Sequence, residues 1–353
     1  MNLRIVSRAC IVAVALCVQA YGQLQEVKAW GLNQSGECNV PSGLPQLRQI
    51  AAGGGFTAVV ATDGSVRVWG NNSVGASDVP AGLSNVVKLS VFYHCLALRS
   101  GGSLVAWGYN EFGQCDPPQG LGSLIDIAAG AGHSLGLSPG GSVTAWGYNR
   151  SGQSVVPPGL AGVVQIAAGA NYSVALQAGG NVVVWGGDPG LTRLPSDLGV
   201  VSQIAAGFAH IVALRSDGTV RAWGANNWGQ TNVPAGLAGV TKVASGSEFH
   251  SIALCANGTV VVWGDNRYGQ LNIPVGLADV VQVSAGGGQT VVLREVALPP
   301  CPSDLDGTRV VDSGDIGLLL LQFGDSGEGD LDGDGVITAG DLSFMLLDFG
   351  SCP

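Results

Sequence analysis

"VVQIAAGANYSVALQAGGNVVVWGG", residues 163–187, is the stretch that decides the fold. "VVQIAAG", "SVALQ" and "NVVVWG" are three short apolar runs of strand length, rich in Val and Ile. Between the second and third lies "AGGN", and a tight hairpin turn needs the positive φ angles that Gly-Gly supplies. Other copies carry "TDGS", "SGGS", "PGGS", "SDGT" and "ANGT" at this place. After the third run the chain reads like "GQTNVPAGLAG" (229–239). Proline donates no ladder hydrogen bond, so this segment is at best an outer edge strand that carries the chain onward. Each copy is therefore expected to be a three- or four-stranded antiparallel meander.

Trp-Gly recurs at Trp30, Trp69, Trp107, Trp146, Trp185, Trp223 and Trp263, with gaps of 39, 38, 39, 39, 38 and 40 residues. Seven copies at one period signal a ring or a solenoid. One meander has two faces to bury, so neighbours must pack face to face, and each Trp brings about 150–250 Å² to that contact. The ends choose between the two arrays. "EVKAWG" (26–31) is a third strand with no first two before it, and "VVQVSAGGGQTVVLRE" (280–295) is a first and second strand with no Trp-Gly after it. Joined, the fragments complete one unit. A mainly β, seven-bladed propeller closed by N- and C-terminal half-blades is expected over residues 23–295.

The pattern "AAGxxxHSxALxxDGxVxxWGxNxxGQ", best kept in "AGAGHSLGL" (129–137) and "WGYNRSGQ" (146–153), resembles the regulator-of-chromosome-condensation repeat. The resemblance covers residues 26–295 and implies a seven-bladed β-propeller. Units ending in "NVPAGL" resemble secreted bacterial versions, including the β-lactamase-inhibitory propeller. Nuclear members of the family act as exchange factors on a small GTPase and dock on chromatin, partners that an exported, acidic chain does not meet.

Export is read from residues 1–22: Arg4 and Arg8, the apolar "ACIVAVALCV" (9–18), and "AYG" (20–22) as a small-x-small cleavage site before Gln23. Ten apolar residues fall short of the about 20 that cross a bilayer, and no later segment has spanning length. The mean hydropathy of +0.34 reflects short apolar strands. Charge is lopsided: residues 301–353 hold 11 acidic residues and one base, Arg309. Without a basic stripe, nucleic acid is not an expected partner.

In an up-and-down meander, the loop between strands one and two and the loop after strand three open on one face. The first set includes Phe56, Phe92, Tyr93, Tyr172, Phe208 and Phe249; the second includes Tyr109, Phe112, Tyr148, Trp228 and Tyr268. Aromatics bring large contact area at low rotamer cost, so this face is expected to bind an extracellular partner, either a protein or a cell-surface glycan. The inhibitory propeller implies an enzyme target as an alternative. A polysaccharide-active enzyme using Glu37, Glu111, Asp188, Glu248 or Asp265 is a third reading, with no catalytic triad to support it. His94, His133, His210 and His250 share one register in separate blades, where Phe56, Tyr172 and Gln289 fill the other places. A repeated structural hydrogen bond is expected there, not a metal. The segment "WGGDPGLTRLP" (185–195) lacks the Asn-x-x-Gly-Gln of its counterparts.

Beyond a linker at 296–300, residues 301–353 contain a 26-residue duplication: "DLDGTRVVDSGDIGLLLLQFG" (304–324) and "DLDGDGVITAGDLSFMLLDFG" (330–350). The second fits a calcium loop in full. Asp330, Asp332 and Asp334 stand at positions 1, 3 and 5, with Gly335 at the sharp turn, the Val336 carbonyl at 7, Thr338 at 9 and Asp341 at 12. The first keeps Asp304, Asp306, the Val310 carbonyl, Asp312 and Asp315, but has Thr308 at position 5 and Arg309 at 6. It is expected to hold Ca²⁺ weakly or stay empty. These loop–helix pairs resemble type I dockerins, which implies a small helical domain and a cohesin-like receptor. Ser313-Gly314 and Ala339-Gly340 stand where dockerins often carry hydroxyl pairs, so a self-contained calcium-stapled domain is the alternative. Cys301 and Cys352 bracket the module, and a bridge closing about 50 residues would contribute about 4 kcal/mol. Cys38, Cys95, Cys115 and Cys255 receive no pairing. The sequence therefore describes a secreted, monomeric, non-catalytic binding propeller with a calcium-dependent attachment module.

Overall fold

The expected hairpins form. The computed structural model describes residues 24–351 apart from 188, 297–300, 309 and 334; the export signal, Cys352 and most of the linker lie outside the described residues. Six units fold as consecutive three-stranded antiparallel sheets at residues 47–70, 86–108, 126–147, 163–186, 201–224 and 240–264. The seventh joins Val280–Ala285, Gln289–Val296 and Leu24–Gly31, with Gln289–Val296 in the middle. Each blade has three strands, because the proline-bearing segments run as turns and irregular chain. Turn chemistry is as required: Gly180 adopts φ +81°, and a Cβ there would meet Val200 at 2.5 Å. Chain contacts separate one compact unit, Gln25–Glu295, from another that holds the residues after Glu295.

The first strands of the seven sheets touch in a closed cycle, 280–285 meeting 47–52 as well as 240–245. A side-chain clamp repeats around it. Gln49 donates to Leu89 O at 2.7 Å and accepts from Leu89 N at 2.8 Å. Gln165 does the same to Ile204, and Gln203 to Val243. Across the closure, Gln282 donates to Arg48 O at 2.8 Å and accepts from Ile50 N at 3.2 Å. At the remaining places Lys242 donates to Val281 O, and Lys88 pairs with Asp126, whose carboxylate accepts from Ile166 N.

A second repeated chain runs through the blade interiors. The indole N–H of each of the seven third-strand Trp residues donates to a carbonyl in the loop that enters its own blade, at 2.9–3.1 Å: among them Gln114 O for Trp146, Gln153 O for Trp185, Gln230 O for Trp263, Gln270 O for Trp30 and Glu37 O for Trp69. The four glutamine carbonyls also accept from Ser134, Ser173, Ser251 and Thr290. Those hydroxyls, having given their proton away, accept from the histidine of the preceding blade: His94 to Ser134 at 2.8 Å, His133 to Ser173 at 2.9 Å, His210 to Ser251 at 3.0 Å and His250 to Thr290 at 3.3 Å. Each histidine therefore carries its proton on Nε2, and the expected structural hydrogen bond proves to join neighbouring blades. Where residues 185–195 lose the motif, helix α1 (Pro189–Thr192) supplies Leu191 O to Trp223 at 2.9 Å.

The smaller unit has two nine-residue helices, α2 (Ser313–Leu321) and α3 (Ala339–Leu347). Its halves exchange short pairings: Val311 bridges Gly350, and Ile337 bonds Gly324 and Asp325 at 2.8 Å. Val311 and Ile337, Leu319 and Met345 are equivalents 26 residues apart, all fully buried in one core.

Burial holds the four histidines neutral, with His94 and His210 pushed down to about 3 and His133 and His250 to about 4. Unfolded imidazoles near pKa 6.5 take up protons that the folded ones refuse. Stability from this source is full above about pH 6.5 and falls as pH drops toward 4. Urea midpoints at pH 7.5 and pH 5 should differ by less in His133→Gln, since Gln289 already serves this register; an unchanged pH dependence would reject the assignment.

Candidate functional site

In six of the seven blades the loop after the third strand is tied to the loop between strands one and two of the same blade. Asn71 N donates to Gly55 O, Tyr148 N to Gly132 O, Asp265 N to Phe249 O and Leu32 N to Gly288 O, at 2.8–2.9 Å. Both loop sets thus share one end of the ring, as the meander requires. The third-strand loops are also braced internally. Asn110, Asn226 and Asn266 accept, through Oδ1, the N–H five residues on, and Gln114, Gln230 and Gln270 accept from Phe112, Trp228 and Tyr268 N at 2.9–3.0 Å. Phe112, Trp228 and Tyr268 occupy one register and are 43%, 42% and 41% exposed. Three large side chains are therefore held toward solvent on fixed backbone.

Two aromatic groups result. Phe112 lies 4.6 Å from Tyr148 and 5.9 Å from Tyr109, ring centre to centre, while the Tyr109 hydroxyl donates to Glu111. On the other side of the face, Trp228 stacks at 6.5 Å on Phe249, which contacts Phe208 at 5.6 Å. The Arg267 guanidinium sits 4.0 Å over Trp228 and 5.8 Å from Tyr268. Asp265 holds it, accepting from Nε and Nη2 at 2.8–3.0 Å. Burial pushes the Asp265 carboxyl up, but the Arg267 hydrogen bonds and charge outweigh it, leaving it below its ordinary value. Arg267 was outside the aromatic reading of the face; its place between Asn266 and Tyr268 was the available signal.

Three residues that the sequence places on this face are not on it. Tyr172 is buried, because it takes the histidine register and its hydroxyl reaches Gly207 O at 3.0 Å and His210 O at 2.6 Å in the next blade. Phe92 is also buried, in a cluster with Leu96 and Ile127, and only Tyr93, packed edge-on at 5.0 Å, is half-exposed. Phe56 is buried in the same way as Tyr172. Cys38, Cys95, Cys115 and Cys255 are free thiols; burial pushes Cys38 and Cys115 up to about 12, so neither is a reactive thiolate.

In the smaller unit the duplication brings Asp330, Asp332 and Asp341 together, and likewise Asp304, Asp306 and Asp315, with carboxylate oxygens within 4.8 Å of one another. Asp341 is wholly buried and accepts from Leu331, Asp332 and Thr338 N at 2.6–3.1 Å. Backbone donors, the Thr338 N–H foremost, hold its carboxyl below the ordinary range. Thr338 and Asp312, at position nine, are the N-caps of α3 and α2. Thr308 N donates to both Asp304 and Asp306, and its hydroxyl to Val310 O. The side chain of Val336 is exposed, and Asp334 and Arg309 lie outside the described residues.

Removing Arg267 strands a buried carboxylate, whereas trimming Trp228 or Tyr268 uncovers little. Arg267→Ala should lower stability more than Trp228→Ala or Tyr268→Ala, each of which should cost less than about 1 kcal/mol. Urea unfolding of the three variants decides; the reverse order would contradict the buried pair.

Five segments, residues 47–76, 90–114, 124–153, 201–230 and 240–270, match the regulator of chromosome condensation (RCC1) repeat. No curated protein shows a significant match. Among solved structures, Prp20p from Saccharomyces cerevisiae is similar at TM-score 0.66 and 22% identity, over 81% of this chain and 94% of its own. Human WBSCR16 is similar at 0.65 and 22%, over 77% and 99%. The ectodomain of the Arabidopsis thaliana receptor kinase ACR4 gives 0.55 and 22%, over 72% and 98%. Identities this low carry the fold alone: with the closed cycle of seven sheets they make residues 25–295 a β-propeller similar to these structures, five segments of which match the RCC1 repeat.

Proposed function

We propose that this chain is a secreted, non-catalytic binding propeller whose aromatic loop face captures an extracellular protein, and whose tail attaches it elsewhere through calcium. The carrying observation is the group of Trp228, Phe249, Arg267 and Tyr268, rigid before any partner arrives. Trp, Tyr and Arg are the residues that dominate protein interfaces, and fixing them in advance removes ordering cost from association. Related propellers support the reading: the Saccharomyces cerevisiae Prp20p structure is described with its binding to Gsp1p and histones.

For the tail, the donor set suits a hard cation. Asp330, Asp332 and Asp341 converge, and Asp330 Oδ1 is buried without a hydrogen-bond partner, an arrangement that Ca²⁺ would satisfy. Asp334, Thr338 and the Val336 carbonyl complete the ligand pattern. In the first loop, Thr308 N already occupies the Asp304 and Asp306 oxygens, so weaker uptake is expected there. A Cys301–Cys352 bridge would close this module, and bound calcium would fix the loop–helix geometry presented to a cohesin-like receptor.

Trp228→Ala with Tyr268→Ala should reduce partner capture from the native secretome at least tenfold while the protein stays folded with only a small fall in melting temperature; undiminished capture would reject the face. One-to-one capture of a soluble enzyme would identify the partner as an inhibited target. In calorimetry on the full chain, calcium uptake should be lost in Asp330→Ala with Asp332→Ala, and persistence of the stronger site would reject the ligand set.

A further inference from the structure

Where the ring closes, the repeat departs from itself in a concerted way. Gly53–Gly55 and Gly286–Gly288 are the only glycine triplets between strands one and two, and they fall in the adjacent first and seventh blades. Gly287 N donates to Gly53 O at 2.9 Å, and a Cβ on Gly287 would stand 3.2 Å from Gly54 Cα. A Cβ on Gly54 would meet the Tyr93 ring at 2.4 Å. Side chains are thus excluded from both loops by the close approach of their neighbours, and a cavity of about 160 Å³ remains beside them.

Its lining is acidic. Glu37, 1% exposed, replaces the glutamine found at positions 114, 153, 230 and 270. Glu248 enters from the sixth blade, half-buried. Tyr93 forms an aromatic wall, and Ser247, 5% exposed, has a hydroxyl with no hydrogen-bond partner. No lysine or arginine lines the cavity. Arg267, whose charge reaches Glu248, is committed to Asp265. Desolvated carboxylates demand a counter-charge, and an ammonium or guanidinium beside a ring gains cation–π attraction as well. The volume is below the roughly 300–1,000 Å³ of pockets that enclose whole small molecules, and suits the end of one side chain.

We infer that this cavity, lined by Glu37, Tyr93, Ser247 and Glu248, receives a lysine or arginine side chain of the protein partner. The inference rests on reading the loop end of the ring as the binding face, and adds the chemistry of one anchor. The test is calorimetric titration of the full chain with a blocked Gly-Lys-Gly peptide, its Nε-acetyl form and n-butylammonium. The lysine peptide should bind saturably, at least tenfold more tightly than the acetyl form, and at least tenfold more weakly to Glu248→Gln of unchanged melting temperature. Ser247→Val, which fills the cavity without touching charge, should weaken it too and decides the matter if Glu248→Gln does not fold. Binding indifferent to acetylation or to both substitutions would overturn the cation site, and n-butylammonium binding as tightly as the peptide would overturn the partner side chain as its source. Should the site fail while Trp228→Ala with Tyr268→Ala still abolishes capture, the binding face stands and only the anchor falls.

Discussion

Closure of the ring is the constraint on which the propeller depends. A three-stranded sheet with two apolar faces cannot bury both by itself, and each is stabilised by packing against its neighbours. The seventh sheet takes its outer strand, Leu24–Gly31, from one end of the propeller and its other two strands from the far end. The joint is made by devices that recur around the ring. Gln282 clamps Arg48 and Ile50, Trp30 and Thr290 share Gln270 O, and Gln289 donates to Gly53 and Phe56 O at 3.1 Å. The two ends obey the repeat's own register, so the junction is bonded as its counterparts are.

The interior bonding also explains why the loop face is rigid. The carbonyl that anchors Trp146 or Trp263 belongs to a glutamine whose side chain accepts the backbone N–H of an exposed aromatic loop. One residue therefore links the buried indole below to the presented ring above. Variation at the remaining loop positions changes what is displayed without disturbing the frame, as residues 185–195 demonstrate: Leu191 O substitutes for the lost glutamine carbonyl and Trp223 keeps its bond. The smaller unit uses duplication to another end. Each half donates its loop to pair with the chain after the other's helix, so neither half is complete without its copy.

Periodicity, turn positions and the two complementary end fragments were legible in the linear chain, since strand period, Gly turns and a recurring Trp are local signals. The convergence of Asp330, Asp332 and Asp341 was legible too, because they lie within twelve residues of one another. Sorting the aromatics was legible only in part. Tyr172 occupies the register of His94, His133, His210 and His250, and that equivalence marks it as a bond to the next blade; grouped instead by its loop, it was assigned to the surface. Phe92 stands one residue before Tyr93 and differs from it only in direction, which backbone geometry alone decides.

Sequence by itself determined that seven like units close into a ring with loops at a common end, because each unit's form follows from contacts among near neighbours in the chain. Tertiary structure decided which loop residues meet. Trp228 and Arg267 lie 39 residues apart, and Glu37 and Glu248 more than two hundred, yet each pair shares one site. Such pairs come together only when blades adjacent around the circle bring distant loops side by side, and the side-chain directions that result are set by packing between sheets.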